Sequence, residues 1–437
     1  MSKADGPGLG SPFVAWTARE VGRLEVSRPW LARMLRWLWS HPQVVLLPLA
    51  AVVGAVAGAM RQDGDQVRFR AAGVTMLGPG MLNTFSDSWL QVGPLYLAAL
   101  GAWSRLWQAV GLSSAAIGTS SAALQCVVIA WLTLFTARRA AHALSPRKTE
   151  WVVGSVLVLG GFLNQAMFAD HPEELLLGVV AALAAVEVQR GRRTAAAVVL
   201  GLGAGIKTWA PLAAGVLVHG RRWRPALAAG ALLALLVALQ YGPFVVWGRV
   251  SSFDLTWVLP RGSWYSTLAG TALHIGWAFR LVQALLAGGA GLLVASRRDG
   301  SALAAAVVSV AVRLLVDPLR LSYYWTALVA VLLFWLWTTP TPLGRRLRVP
   351  VTVALPFLTW SQPLLPTPTW WFAGSVLCLA VPVLCLVAER SAAARRPATN
   401  AAQHTPDASS CDSPSSRSIA LRWPIGVSRS SQGSPRV

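Results

Sequence analysis

Two aspartates in the run Arg61-Gln-Asp63-Gly-Asp65 are the first residues of this chain that could do chemistry. Carboxylates at that spacing can supply a general base, oxygen ligands for a divalent metal, or both. A third acid, Asp87, follows in Phe-Ser-Asp-Ser-Trp, where it is either a site acid or a helix N-cap. Farther on, Asp170-His171-Pro172-Glu173-Glu174 sets an imidazole among carboxylates. That cluster is either a second polar wall of a site or, for Glu174 above all, a solvated turn starting a helix. Lys207 stands among glycines and apolar residues, where an amine either binds a phosphate as a point charge or snorkels to an interface. Arg313 and Asp317 are spaced for an intrahelical ion pair or an anion site. Arg320, Tyr323 and Tyr324 follow, and the tyrosines suit an aromatic belt as well as a substrate wall.

These residues are few because the chain around them is apolar. Of 437 residues 55% are hydrophobic and only 13% charged. Apolar runs of roughly 17–25 residues recur, the length that crosses a hydrocarbon layer. Surface helices of a soluble domain would carry a polar face instead, and a membrane β-barrel would show short alternating segments. The chain therefore reads as an all-α polytopic membrane protein. Its net charge of +21 invites a nucleic-acid reading. The arginines, however, cluster in the leader and in short connectors, the pattern of positive-inside orientation and of attraction to anionic lipid headgroups. No nucleic-acid partner is expected. Cys126, Cys378 and Cys385 lie in apolar runs, Cys411 lies in the tail, and none has a partner at metal-ligand spacing.

Charge at the connectors orders the segments. Residues 1–42 form a basic, partly amphipathic leader without a cleavable signal pattern, and Trp30, Leu31, Leu35, Leu38 and Trp39 recur at interfacial-helix spacing. Residues 43–390 form the membrane domain, and 391–437, rich in Ser, Pro and Arg, read as a disordered cytoplasmic tail. The first span is about 43–60, a polar outer loop covers 61–94, and 95–110 lies along the interface. Spans near 115–137, 151–168 and 174–189 follow. Stretch 194–218 is flanked by QRGRR and HGRRWR, so both ends belong on the cytoplasmic side. Its midpoint, Gly201-Leu-Gly203-Ala-Gly205-Ile-Lys207 followed by Pro211, predicts a broken hairpin of two short helices with Lys207 at the outer tip. Spans near 225–247, 270–295, 301–318, 321–339, 349–364 and 370–389 complete about 11–12 segments. Both termini are then cytoplasmic and the charged residues collect on the outer face of the plasma membrane.

With that order in place, the chain resembles a GT-C superfamily glycosyltransferase of the bacterial polyprenyl-phosphate-mannose-dependent type common in actinobacteria. Three stretches carry the resemblance. They are Asp63-Gly64-Asp65 with Phe69-Arg-Ala-Ala72-Gly73; the run from His171 through Gly201-Leu-Gly203-Ala-Gly205-Ile-Lys207 to Pro211; and Asp317-Pro318 with Tyr323-Tyr324. The chain departs from the family where Gln91-Val-Gly93-Pro94 replaces the Tyr-Pro-Pro often found in the first loop, and where Asp170 precedes His171. The resemblance implies a GT-C-like bundle. It implies a polyprenyl-phosphate sugar donor and an envelope glycan or glycolipid acceptor, with membrane lipids around both. Transfer would invert the sugar, with Asp65 or Asp63 as base. Lys207 and Arg320 would stabilise the leaving phosphate, and Asp87, His171, Glu173 and Tyr323 would line the donor and substrate site. A divalent metal, if any, would sit on Asp63 and Asp65, and the mechanism does not require one. The rival readings are a transporter or lipid flippase, and a non-catalytic envelope assembly protein.

Overall fold

The computed structural model describes residue 20 and residues 23–140, 146–252, 254–298, 300–361 and 364–393. Residues 1–19, 21 and 22 of the leader and residues 394–437, with Cys411, lie outside them. The chain is an all-α polytopic membrane protein. Among the described residues six helices are long and apolar enough to cross a membrane: Pro42–Met60, Ser114–Ala140, Pro146–Phe168, Trp223–Trp247, Trp277–Ala295 and Thr367–Ser391. The other expected segments are shorter, as with Arg193–Ile206 and Ala302–Leu315, or carry charge, as with Pro172–Gln189. The third span is broken where Gly161 takes a φ of 91° between Pro146–Leu159 and Phe162–Phe168.

The centre of the bundle is made by two helices, one apolar on every side between its terminal glutamates and the other throughout. Nearly all of Pro172–Gln189 and Trp325–Thr338 is buried, as expected of helices without a polar stripe. Gly178 brings them together, since a Cβ there would lie 2.5 Å from the carbonyl oxygen of Ala327. Small residues at such crossings are how membrane helices gain packing when lipid removes the hydrophobic drive.

The polar interval 61–94 is not an open loop. It holds a helix, Asp65–Met76, and a 3-10 helix, Met81–Ser86. The next helix, Pro94–Ala109, lies against the first, and a Cβ on Gly73 would meet the Leu97 carbonyl at 2.2 Å. Gln66 fastens this pair to the bundle, donating to the Tyr96 hydroxyl and to the Asp170 carbonyl, both at 2.9 Å. Residues 248–276, expected as a turn running into a span from about 270, also have structure. Strands Leu255–Val258 and Ala272–Ile275 pair antiparallel around a short helix, Trp264–Ala269, and the span begins only at Trp277.

The broken hairpin forms as expected. Arg193–Ile206 ends where Lys207 turns extended (φ −159°, ψ 142°), and a 3-10 arm, Ala210–Arg221, returns. The two ends meet: Arg193 Nε donates to the Leu217 carbonyl at 3.1 Å. The tip is stitched to the first loop, where the Gly93 amide donates to the Ile206 carbonyl at 2.6 Å and Val92 bridges Lys207. Cysteines introduced at Arg192 and Arg221, in a background whose own cysteines are serine, are therefore expected to label from the same side of the membrane. Labelling from opposite sides would mean the arm crosses.

Candidate active site

The site is assembled where the first-loop helix, the start of helix Pro172–Gln189 and the hairpin tip converge. Asp65 is the first residue of its helix, where the macrodipole favours a carboxylate. Its Oδ2 lies 3.3 Å from His171 Nε2, and Arg68 is 3.9 Å from the other oxygen. His171 Nδ1 meets Glu173 Oε1 at 2.6 Å, and the same oxygen accepts from Lys207 Nζ at 3.1 Å. Lys207 also reaches Glu174 Oε1 at 2.8 Å. Arg313 donates to both oxygens of Glu174 at 3.1 and 3.2 Å, and Trp209 Nε1 adds a third bond at 3.1 Å. The result is one row of alternating charge, Asp65–His171–Glu173–Lys207–Glu174–Arg313. Every acid in it faces a cation, as burial demands.

Aromatic rings fix the row. Tyr323 stacks on His171 with centroids 4.3 Å apart, and the edge of Phe69 meets the same imidazole at 5.8 Å. Tyr324 and Trp209 lie 4.9 and 4.4 Å from the Arg313 guanidinium, within cation–π range. At the Asp65 end of the row the hydrogen bond from His171 holds the Asp65 carboxyl below its ordinary range, with the His171 and Arg68 charges assisting against burial. Burial opposes a charge on His171, but the Glu173 charge and the hydrogen bonds to Asp65 and Glu173 outweigh it and raise its pKa to about 9. His171 is thus a cation at neutral pH, clasped between two carboxylates.

Several expectations change. Asp63 is exposed and does not line the cavities that meet at Lys207, whereas Asp65 lines one of them. Asp65's near charged neighbours are His171 and Arg68, which compete for the oxygens a metal would take, and among the described residues no three His, Cys, Asp or Glu are grouped to hold one. Asp87 is not an N-cap. It follows the 3-10 helix, and its Oδ1 accepts from the Trp89 amide at 3.0 Å, closing a turn. Glu174 is not a solvated turn residue, because it is fully buried. Arg313 and Asp317 do not pair along their helix: Arg313 goes to Glu174, while Asp317 takes Arg280 at 3.6 Å and Gln283 Nε2 at 3.2 Å. Arg320 does not come to the site. Its guanidinium donates to the carbonyls of Leu314, Leu315 and Trp371 and to the Ser375 hydroxyl, with Trp371 stacked 4.4 Å away.

Two cavities adjoin the row, and a third shares walls with both. One of about 150 Å³ is lined by Asp65, Asp87, His171, Lys207, Tyr323, Trp89 and Trp257, among others. A second, about 240 Å³, has Lys207, Arg280 and Arg313 in its wall and shares Gln91, Lys207 and Tyr324 with the first. A third, about 280 Å³ and almost wholly apolar, is lined by Val237, Tyr241, Val245 and Val250 and shares Gln91, Thr208 and Trp277 with the second. Arg280 went unnoticed in the sequence, although a lone charge in the apolar run Trp277–Ala295 was its signal. The chain matches no family model, no curated protein and no solved structure.

Proposed function

We propose that this protein is a membrane glycosyltransferase. It moves a sugar, mannose by the resemblance of its motifs, from a polyprenyl-phosphate donor to an envelope glycan or glycolipid acceptor at the outer face of the plasma membrane. One observation carries the reading: an almost wholly apolar cavity, a cavity with Lys207, Arg280 and Arg313 in its wall and a cavity with Asp65 and Asp87 in its wall all meet at Gln91. Those are the environments that an isoprenoid chain, a phosphate and a sugar hydroxyl need.

The chemistry follows from the residues. Asp65 takes the proton of the acceptor hydroxyl as the oxygen bonds to C1 of the donor sugar. The C1–O bond to phosphate breaks on the opposite face, so the sugar inverts and polyprenyl phosphate leaves. Asp65 is a weak base in the resting site, so the proton moves as the new bond forms rather than before it. Lys207, Arg280 and Arg313 meet the charge that grows on the departing phosphate, where preorganised cations lower the barrier most. Lys207 has three ammonium donors and two carboxylate partners, which leaves one for phosphate. A transporter would place its charged residues at the membrane midplane between repeats. The row here lies where the first-loop helix meets the hairpin tip.

Membranes containing the protein should transfer label from a radiolabelled polyprenyl-phosphate sugar into a glycan product. Arg280→Gln is expected to raise the KM for donor, because losing a charged hydrogen bond to phosphate costs about 1.5–3 kcal/mol, a factor of about ten to a hundred. Asp317 keeps its bonds from Gln283 and the Leu319 amide but loses its Arg280 partner, so thermal unfolding of the variant is read beside the KM. Absence of transfer with every polyprenyl-phosphate sugar supplied would sink the reading.

A further inference from the structure

The carboxylate-walled cavity has a feature that base chemistry does not require. Trp89 and Trp257 line it together, with ring centroids 4.9 Å apart and planes at 72°, so that they form a corner. Two separate loops deliver them. The turn closed by Asp87 presents Trp89, and the strand Leu255–Val258 presents Trp257. The loops are bonded to each other, the Ser251 amide donating to the Phe85 carbonyl and the Ser252 hydroxyl to the Leu90 carbonyl, both at 2.8 Å. The corner is therefore held by the fold. The Trp257 indole N–H is buried without an acceptor. A buried donor of that kind normally has a partner, in protein, water or ligand. Beside the corner stands Asp87, one of whose oxygens the turn uses.

We infer that this corner is the acceptor subsite, and that the acceptor is a pyranose glycan rather than a simple alcohol or a hydroxyl-bearing side chain. A pyranose has an apolar C–H face and a rim of hydroxyls. An indole offers a large apolar plane with one polar edge, and such rings bind by area with little loss of side-chain freedom. The ring lies against Trp89 and Trp257, one hydroxyl oxygen accepts from the Trp257 N–H, and another hydroxyl donates to Asp87. That leaves the hydroxyl facing Asp65 as the one that reacts. Aromatic side chains that serve as a membrane belt instead sit at the lipid headgroups with their polar edges wet. The Trp257 N–H is buried instead, and both rings share a cavity wall with Asp65 and Asp87. The inference rests on the glycosyltransferase reading for the reaction but stands on its own residues for binding.

Saturation-transfer NMR on the full-length protein in detergent tests it, with methyl α-mannopyranoside, methyl α-glucopyranoside and glycerol as probes. The ring C–H protons of a pyranoside should receive saturation and glycerol should not. The signal should disappear in Trp89→Ala and in Trp257→Ala. Trp257→Phe, which keeps a ring and loses the N–H, should retain part of it. Thermal unfolding of each variant reports folding, and Trp257→Phe covers the case in which an alanine variant fails to fold. Equal signals for pyranosides and glycerol, or pyranoside signals that survive both alanine variants, would overturn the subsite. Farnesyl phosphate added to the same samples separates the two ideas. If it binds and the pyranosides do not, the subsite is wrong and the donor reading stands. If the pyranosides bind at the tryptophans and farnesyl phosphate does not bind at all, the subsite stands and the donor reading falls.

Discussion

Asp65→Asn is expected to cut sugar transfer by about 10²–10⁴-fold, the usual contribution of a positioned general base, while donor binding and thermal stability change little. The amide keeps the size of the carboxylate and can still meet His171, but it cannot take a proton. Only the chemical step loses its base, so kcat should fall with the KM for donor near its starting value. Asp63→Asn is the matched control, because Asp63 is exposed and outside the cavities. Its activity should stay close to wild type. The pH behaviour carries a second signature. Asp65 is held below the usual carboxylate range by His171, so transfer should persist on the acid side until pH falls through that lowered pKa. His171 works in the opposite sense. Its folded pKa is raised to about 9 from 6.5, so the stability it contributes is full below about 6.5 and is lost as pH rises through about 9. Thermal stability of the wild type should therefore decline across that window, and the decline should be absent in His171→Gln.

Glu174→Ala is expected to be the most destabilising single change in the site. Glu174 is fully buried and answers two buried cations, Lys207 at 2.8 Å and Arg313 through two bonds. Removing one member of such a group leaves charge buried without compensation, which costs about 3–5 kcal/mol. A domain's whole stability is about 5–15 kcal/mol, so the variant should unfold far earlier on heating in detergent or fail to accumulate. Glu25→Ala is the comparison. Glu25 also pairs with an arginine, Arg36, but both side chains are about half exposed, and a pair of that kind contributes at most about 1 kcal/mol. The double variant Glu174→Gln with Arg313→Met should recover part of the loss, because it removes a charge of each sign. If Glu174→Ala and Glu25→Ala proved equally mild, the buried row would not be the structural hinge of the site.

The sequence carries the fold class plainly, because apolar run length and the placement of arginines are local properties. The hairpin at Lys207 was legible for the same reason. Basic clusters at both ends and glycines at the midpoint admit only a returning path, and the Arg193 bond to the Leu217 carbonyl closes it. What stayed hidden depends on contacts across long sequence separations. Glu174 and Arg313 are 139 residues apart, and nothing near either names the other. Arg313 instead had a helical neighbour, Asp317, at an attractive spacing, and packing gave each of them a different partner. The family resemblance made Arg320 a phosphate ligand. Its guanidinium is taken by carbonyls left open where the helix Ala302–Leu315 ends. Loop structure was the other blind spot. Helix Asp65–Met76 has almost no apolar stripe to betray it, and the strand pair at 255–275 is too short for its alternation to stand out.

The most direct test of the whole account is an experimental structure of the protein with a polyprenyl phosphate. The account places the phosphate among Lys207, Arg280 and Arg313, with the first isoprene units in the apolar cavity lined by Val237, Tyr241 and Val245 and the open face of the phosphate towards Asp65. A lipid whose phosphate sits away from these three cations, or density only on the outer surface of the bundle at saturating lipid, would contradict it.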